Sequence, residues 1–155
     1  MISKDKIKFI AKVTIAHFIT YMLCGTLFEV IFNYQAYIEV VGMKSADEIN
    51  VHMVMLGQIV RGILFGIVIW WIKDSIIGKK LAWLKLWVIL VILGIISVYD
   101  IAPFSIEGYL YLRPYAEPLP LSFHIGSNLE IILQSLLFSI IVTFQKKKRL
   151  ETRTE

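Results

Sequence analysis

Four long apolar stretches dominate this chain and are separated by short segments that hold most of its charges. They run at about 10 to 32, 53 to 72, 83 to 101 and 122 to 144; each is rich in Ile, Leu, Val and Phe, and none contains proline. A hydrocarbon core about 30 Å thick is crossed by roughly 20 helical residues that rise 1.5 Å each. The pattern therefore predicts an all-α membrane protein, a bundle of four transmembrane helices.

The composition supports this prediction. Of the 155 residues, 57% are hydrophobic and 18% are charged, whereas a soluble chain carries about 25% charged residues. We expect residues 1–155 to form a single integral membrane domain whose last segment, 145–155, is a basic cytoplasmic tail. The formal net charge of +4 does not indicate a nucleic-acid partner, because the basic residues lie at helix ends and form no patch with interleaved aromatic residues.

Lysine and arginine are distributed unevenly between the two sides of the predicted bundle. One side holds Lys4, Lys6, Lys8, Lys12, Lys73, Lys79, Lys80, Lys85, Lys146, Lys147, Lys148, Arg149 and Arg153. The other side holds Lys44 and Arg113, and Arg61 lies within the second apolar stretch. Because cytoplasmic loops retain positive charge during insertion, we expect a multi-pass protein of the cell membrane with both termini in the cytoplasm.

The two predicted outer segments differ in character. Ser45 and Glu48 fit the capping box, in which a serine and a glutamate satisfy amide donors at a helix start, so helix 2 is predicted to begin near Ala46. The segment 103–120 carries all four prolines among aromatic and aliphatic residues. It cannot be one regular helix, and we expect an ordered outer loop between helices 3 and 4.

Arg61 is the most informative polar residue because it lies near the middle of the second stretch. Insertion of an arginine there costs about 2.5 to 3.5 kcal/mol. The eleven Leu, Ile, Val and Phe residues of 53–72 contribute together about −3 to −7 kcal/mol. Helix 2 therefore needs a partner for its charge, and Glu130 matches the expected depth better than Glu29 does. A bidentate pair could simply fasten helix 2 to helix 4, or the two residues could form a ligand or ion site.

Further polar residues place the expected site in the outer half of the bundle. In helix 4, six polar residues fall within an arc of about 160° at 100° per residue: His124, Ser127, Asn128, Glu130, Gln134 and Ser135. Helix 1 carries a weaker stripe, which is interpreted as hydrogen bonding between helices: His17, Thr20, Tyr21 and Cys24. The candidate ligand-binding or charge-network residues are Arg61, Glu130, Glu29, His124, Asn128, Gln58, Gln134 and Asp100.

Two weaker motifs are also present. Gly62 and Gly66 form a GxxxG motif, which permits close approach of helices, and packing within the chain is favoured over dimerisation. The three histidines show no metal-binding spacing, and no cofactor or metal is expected.

Three functions are compatible with these features. The first is binding or transport of a small polar or amphiphilic ligand in an outward-facing pocket, with Arg61 holding an anionic group. The second is an enzyme that acts on a lipid or lipid-linked substrate with Glu130 or His124 as general base. The third is an accessory subunit that contacts another membrane protein. The first is favoured, and catalysis is not the leading hypothesis. The partners compatible with the sequence are the lipid bilayer, a small ligand, another membrane protein and, in a homo-oligomer, a second copy of this chain.

Overall fold

The computed structural model describes residues 3–33, 50–96 and 121–144, and these residues form four helices and no strand. The helices are α1 (Lys4–Phe32), α2 (Val51–Ile76), α3 (Ala82–Val91) and α4 (Leu121–Thr143). A π-helical turn, Ile92–Ile96, continues α3. The all-helical prediction is thus confirmed for the described part of the chain.

Two helices begin at residues other than those predicted. α1 starts at Lys4 instead of near residue 10, because the side chain of Ser3 accepts a hydrogen bond from the Lys6 amide at 3.2 Å and caps the helix. α2 starts at Val51 and not near Ala46, because Asn50 adopts extended backbone and its side chain accepts from the Met53 amide. The predicted capping box, the proline-rich loop 103–120 and the tail 145–155 lie outside the described residues.

Three of the helices, α1, α2 and α4, are long and apolar enough to cross a membrane. The described part of the third helix, Ala82–Ile95, is also apolar but is shorter than these three. Residues 82–96 would span about 22 Å at 1.5 Å per residue, which is less than the thickness of a hydrocarbon core. The described helices therefore support three of the four predicted spans directly.

The outward faces of the helices are apolar. Val30 is 78% exposed, Trp71 is 73% exposed and Phe144 is 80% exposed. Soluble proteins rarely expose contiguous apolar surface on this scale, whereas a lipid solvent requires it. These faces fit a membrane-embedded protein.

The first helix lies at the centre of the packing, between α2 and α4, while α3 packs mainly on α4. An alanine Cβ at Gly62 would lie 2.9 Å from the Cα of Thr14, and one at Gly66 would lie 3.0 Å from the Cα of Ile10. The GxxxG motif therefore lets α1 approach α2 within the chain, as favoured from the sequence. The pairing 62 with 14 and 66 with 10 also shows that the two helices are antiparallel.

An apolar core closes one end of the helices. Its buried members are Val13, Ala16, Ile69, Ile76, Ala82, Leu86, Phe138 and Val142. These residues come from the first half of α1, the last half of α2, the start of α3 and the end of α4. The predicted cytoplasmic flanks of the four helices therefore lie together at this end, and the polar side chains lie farther along the helices.

Candidate ligand cavity

A cavity of about 460 Å³ lies between the four helices, beyond the apolar core. Its walls are formed by His17, Tyr21, Arg61, Phe65, Leu90, Leu93, Gly94, Ser127, Glu130, Ile131, Gln134, Ser135 and Phe138. The π-helical turn after α3 contributes Leu93 and Gly94, and Gly94 is close enough to α4 that an added Cβ would lie 3.6 Å from Ile131. The volume is within the range of about 300 to 1,000 Å³ typical of small-molecule sites.

Arg61 lines this cavity from α2 and is itself exposed. Its guanidinium carbon lies 5.7 Å from the centre of the Phe65 ring, one helical turn away, which is within the distance of a cation–π contact. In the part of the chain that the structure describes, the Phe65 ring is the group shown in contact with the guanidinium. A ring face accepts none of the five N–H donors in hydrogen bonds of normal geometry, so these donors remain available to a ligand.

Glu130 lines the same cavity from α4. Its Oε1 atom lies beside α1, since an added Cβ at Gly25 would be 3.6 Å from it. The carboxylate of Glu130 thus lies close to α1 as well as to the cavity. Arg61 and Glu130 therefore line one cavity, with Arg61 beside Phe65 and Glu130 beside Gly25. A direct bidentate pair between them stays a prediction.

His17 is buried, with 3% of its surface exposed, and lines the inner part of the cavity. Its Nε2 lies 3.1 Å from Oε1 of Gln58, and because an amide oxygen can only accept, Nε2 donates this hydrogen bond. Phe65 packs edge-on against the imidazole with 5.1 Å between ring centres, and Phe138 packs likewise at 6.1 Å. Gln58 thus acts on the cavity by orienting His17.

The polar face of α4 is divided between the cavity and the helix itself. The hydroxyls of Ser127 and Ser135 line the cavity and donate to the carbonyls of His124 and Ile132 in the preceding turn. The Asn128 amide donates to the His124 carbonyl at 2.9 Å. The His124 ring packs edge-on against Phe123 with 6.0 Å between centres.

The structure therefore sorts the eight residues predicted for the site. Three of them, Arg61, Glu130 and Gln134, line the cavity, and Gln58 contacts a residue that does. Three others belong to the surrounding helices but are not among the lining residues: Glu29, His124 and Asn128. Asp100 lies outside the described residues. Of the two general bases that the enzyme hypothesis names, Glu130 is the one at the cavity.

Sequence reasoning assigned His17 and Tyr21 to hydrogen bonding between helices. His17 does make such a bond, to Gln58 of α2, and both residues also line the cavity, which was not predicted. The signal was present, because the two residues belong to the polar stripe of α1. The other members of that stripe are buried away from the cavity: the Thr20 hydroxyl donates to the Ala16 carbonyl at 2.9 Å, and Cys24 is 1% exposed. The orientation of α1 in the bundle thus directs His17 and Tyr21 to the cavity and Thr20 and Cys24 away from it.

Within the residues that the structure describes, no group of three or more His, Cys, Asp or Glu is placed to hold a metal ion. Comparison of the chain with protein-family models, with curated proteins and with solved structures finds no match in any of the three. The function of the cavity must therefore be inferred from its own side chains.

Proposed function

We propose that this chain is a membrane protein whose cavity binds a small amphiphilic ligand through an anionic group and helps to transport it. The observation that carries the proposal is Arg61, a cation that lines a cavity, contacts an aromatic ring and keeps its N–H donors available. An arginine within an apolar helix costs about 2.5 to 3.5 kcal/mol. A carboxylate or phosphate on a ligand would offset that cost, because it matches the planar guanidinium with two parallel hydrogen bonds.

The remaining walls support an amphiphilic ligand. Leu90, Leu93 and Ile131 are aliphatic, and Phe65 and Phe138 are aromatic, so an apolar group would be buried against them. Gln134 adds an amide that can both donate and accept. Sites of this kind combine mostly apolar walls with a few polar groups that fix the orientation of the ligand.

We further propose four spans in the cell membrane with both termini in the cytoplasm, which would direct the cavity toward the extracytoplasmic half. The support is the concentration of lysine at the end of the helices where the apolar core lies. The test is labelling in a Cys24→Ser background with a maleimide that cannot cross membranes. Ser3→Cys should react only after permeabilisation and Asn50→Cys in intact cells; the reverse pattern would refute the orientation.

The binding proposal is tested by thermal unfolding of the purified protein in maltoside micelles. Cys24 is the single cysteine and is buried, so a dye that fluoresces on reacting with thiols reports loss of packing. The probes are a panel of carboxylates, phosphate monoesters and sulfonates with apolar substituents, together with matched amines. A ligand present at 100 times its Kd stabilises by about 2.7 kcal/mol, which raises Tm by roughly 5 to 10 °C in a protein of this size.

Lys73 provides a matched control, because it is a cation of α2 that also lies over an aromatic ring, 3.5 Å from the centre of Trp70, but outside the cavity. We expect at least one class of anion to raise the Tm of the parent and of Lys73→Ala and to have no effect on Arg61→Ala. The proposal is wrong if no anion stabilises the parent, or if Arg61→Ala responds as the parent does.

Transport is then separated from catalysis by measurements on a stabilising anion. Flux into proteoliposomes that follows a gradient and is lost in Glu130→Gln supports transport. Chemical turnover in detergent, without a gradient, supports the enzyme hypothesis with Glu130 as general base. A protein that copurifies in fixed proportion supports the accessory-subunit hypothesis.

A further inference from the structure

We propose that the ligand is a zwitterion with an apolar group, held by its anionic group at Arg61 and by its cationic group at Glu130. This inference rests on the proposed function and adds the class of ligand to it. It follows from the two charges of opposite sign on the cavity wall, one on α2 and one on α4.

The charge balance of the cavity carries the first step. Among the described residues that line the cavity, Arg61 carries a positive charge and Glu130 a negative one, in surroundings of low dielectric where added net charge is costly. A ligand with a single charge can pair with only one of these two groups and brings one net charge into the cavity. A zwitterion can contact both groups and brings no net charge, so complementarity favours it over either singly charged analogue.

The placement of the two groups carries the second step. The guanidinium lies over Phe65 on the α2 wall, whereas an oxygen of Glu130 lies beside Gly25 of α1. The two charges thus lie at different places on the cavity wall, one beside Phe65 and the other beside Gly25. Two groups of one ligand can therefore contact them. A carboxylate has about four acceptor sites, so a ligand ammonium can bind Glu130 alongside its other contacts.

The shape of the walls carries the third step. Leu90 and Phe138 flank the cavity with apolar surface, and His17 presents an imidazole whose proton is directed to Gln58. A zwitterion with no apolar group would leave this surface unfilled. Two sources share the required chemistry, namely an α-amino acid with an apolar side chain and a single-chain zwitterionic lipid.

The experiment uses matched probes and measures affinity by isothermal titration on the full chain in nanodiscs. The amino-acid arm compares phenylalanine with N-acetylphenylalanine, which is an anion, and with phenylalanine amide, which is a cation. The lipid arm compares lysophosphatidylcholine with lysophosphatidic acid. We expect the zwitterion of one arm to bind about tenfold or more tighter than its charged analogues, since each loses one charge-assisted contact.

The variants distinguish the two contacts. Arg61→Gln should abolish the preference for the zwitterion over the cation, and Glu130→Gln should abolish its preference over the anion. Lys73→Ala should keep both preferences. The buried thiol of Cys24 verifies that each variant is folded, and Arg61→Lys, which keeps the charge, should retain part of the preference if Arg61→Gln is unstable.

The possible outcomes separate this inference from the proposed function. Anions that bind as tightly as zwitterions, with affinity that depends on Arg61, overturn the zwitterion and leave the proposed function standing. Zwitterions whose binding is unchanged in Arg61→Gln overturn both. No saturable binding of any probe in either arm also overturns the inference.

Discussion

Alanine at Gly62 should destabilise the protein, whereas alanine at Gly57 of the same helix should not. An added Cβ at Gly62 would lie 2.9 Å from the Cα of Thr14, and carbon atoms in contact are ordinarily about 3.5 to 4.0 Å apart. The nearest atom is backbone and cannot rotate away, so α1 and α2 must separate by about 0.6 Å. An added Cβ at Gly57 would meet nothing within 4 Å.

The magnitude follows from two opposing effects. Overpacking of an interface costs about 1 to 3 kcal/mol, while alanine in place of glycine within a helix gains about 1 kcal/mol. The gain in helix propensity applies to Gly62→Ala and to Gly57→Ala alike, so it cancels when the stabilities of the two variants are compared. We therefore expect Gly62→Ala to be less stable than Gly57→Ala by about 1 to 3 kcal/mol, which corresponds to a Tm roughly 2 to 12 °C lower.

Reaction of Cys24 with a thiol dye during heating in maltoside micelles measures this difference, because the sulfur is buried in the folded protein. The scan rate must be held constant, since unfolding of a membrane protein is often irreversible. If Gly62→Ala unfolds at or above the temperature of Gly57→Ala, then α1 does not pack on α2 through this glycine. The assignment of the GxxxG motif to packing within the chain would then be wrong.

Two further predictions concern buried polar groups. In a double-mutant cycle, His17→Ala and Gln58→Ala should couple by about 0.6 to 1.7 kcal/mol, because their hydrogen bond lies between apolar helices. The control is His52→Ala at the exposed start of α2, which should leave Tm unchanged. If the effects of His17→Ala and Gln58→Ala on stability are additive, the hydrogen bond is contradicted. Ser139→Ala should leave stability unchanged or raise it by about 1 kcal/mol, because the hydroxyl is buried without a partner among the described residues. Ser135→Ala, whose hydroxyl is bonded, is its control, and a clear loss of Tm in Ser139→Ala would contradict the reasoning.

The helices could be located from the sequence because a membrane span is a continuous stretch of apolar residues, and such a stretch is visible without knowledge of the tertiary structure. The ends of α2 and α4 lie within a few residues of the predicted ones. The start of α1 was missed because Lys4, Lys6 and Lys8 do not belong to an apolar stretch, although Ser3 caps them into the same helix. Charged residues can belong to a helix as well as apolar ones. An apolar stretch therefore defines the part of a helix that lies in lipid and not the full length of the helix.

The site could be predicted only in part because its residues come from four helices. The rotation of each helix about its own axis depends on its packing against the others and cannot be derived from the sequence of that helix alone. The sequence identified Arg61, Glu130 and Gln134, since polar side chains in apolar helices must face a protein interior or a cavity. It did not separate the members of each polar face. Asn128 and Thr20 satisfy carbonyls of their own helices, while His17 and Tyr21 reach the cavity.

The sequence by itself determined that lipid is the fitting solvent for these helices, because the free energy of transferring each residue to hydrocarbon adds along the chain. It also predicts that the costly side chains belong to one half of the helices. The tertiary structure alone decided that Arg61 contacts Phe65, that Glu130 reaches α1 beside Gly25, and that His17 lines the cavity. These contacts depend on the distance and rotation between helices, which the close approach of α1 and α2 at Gly62 helps to set.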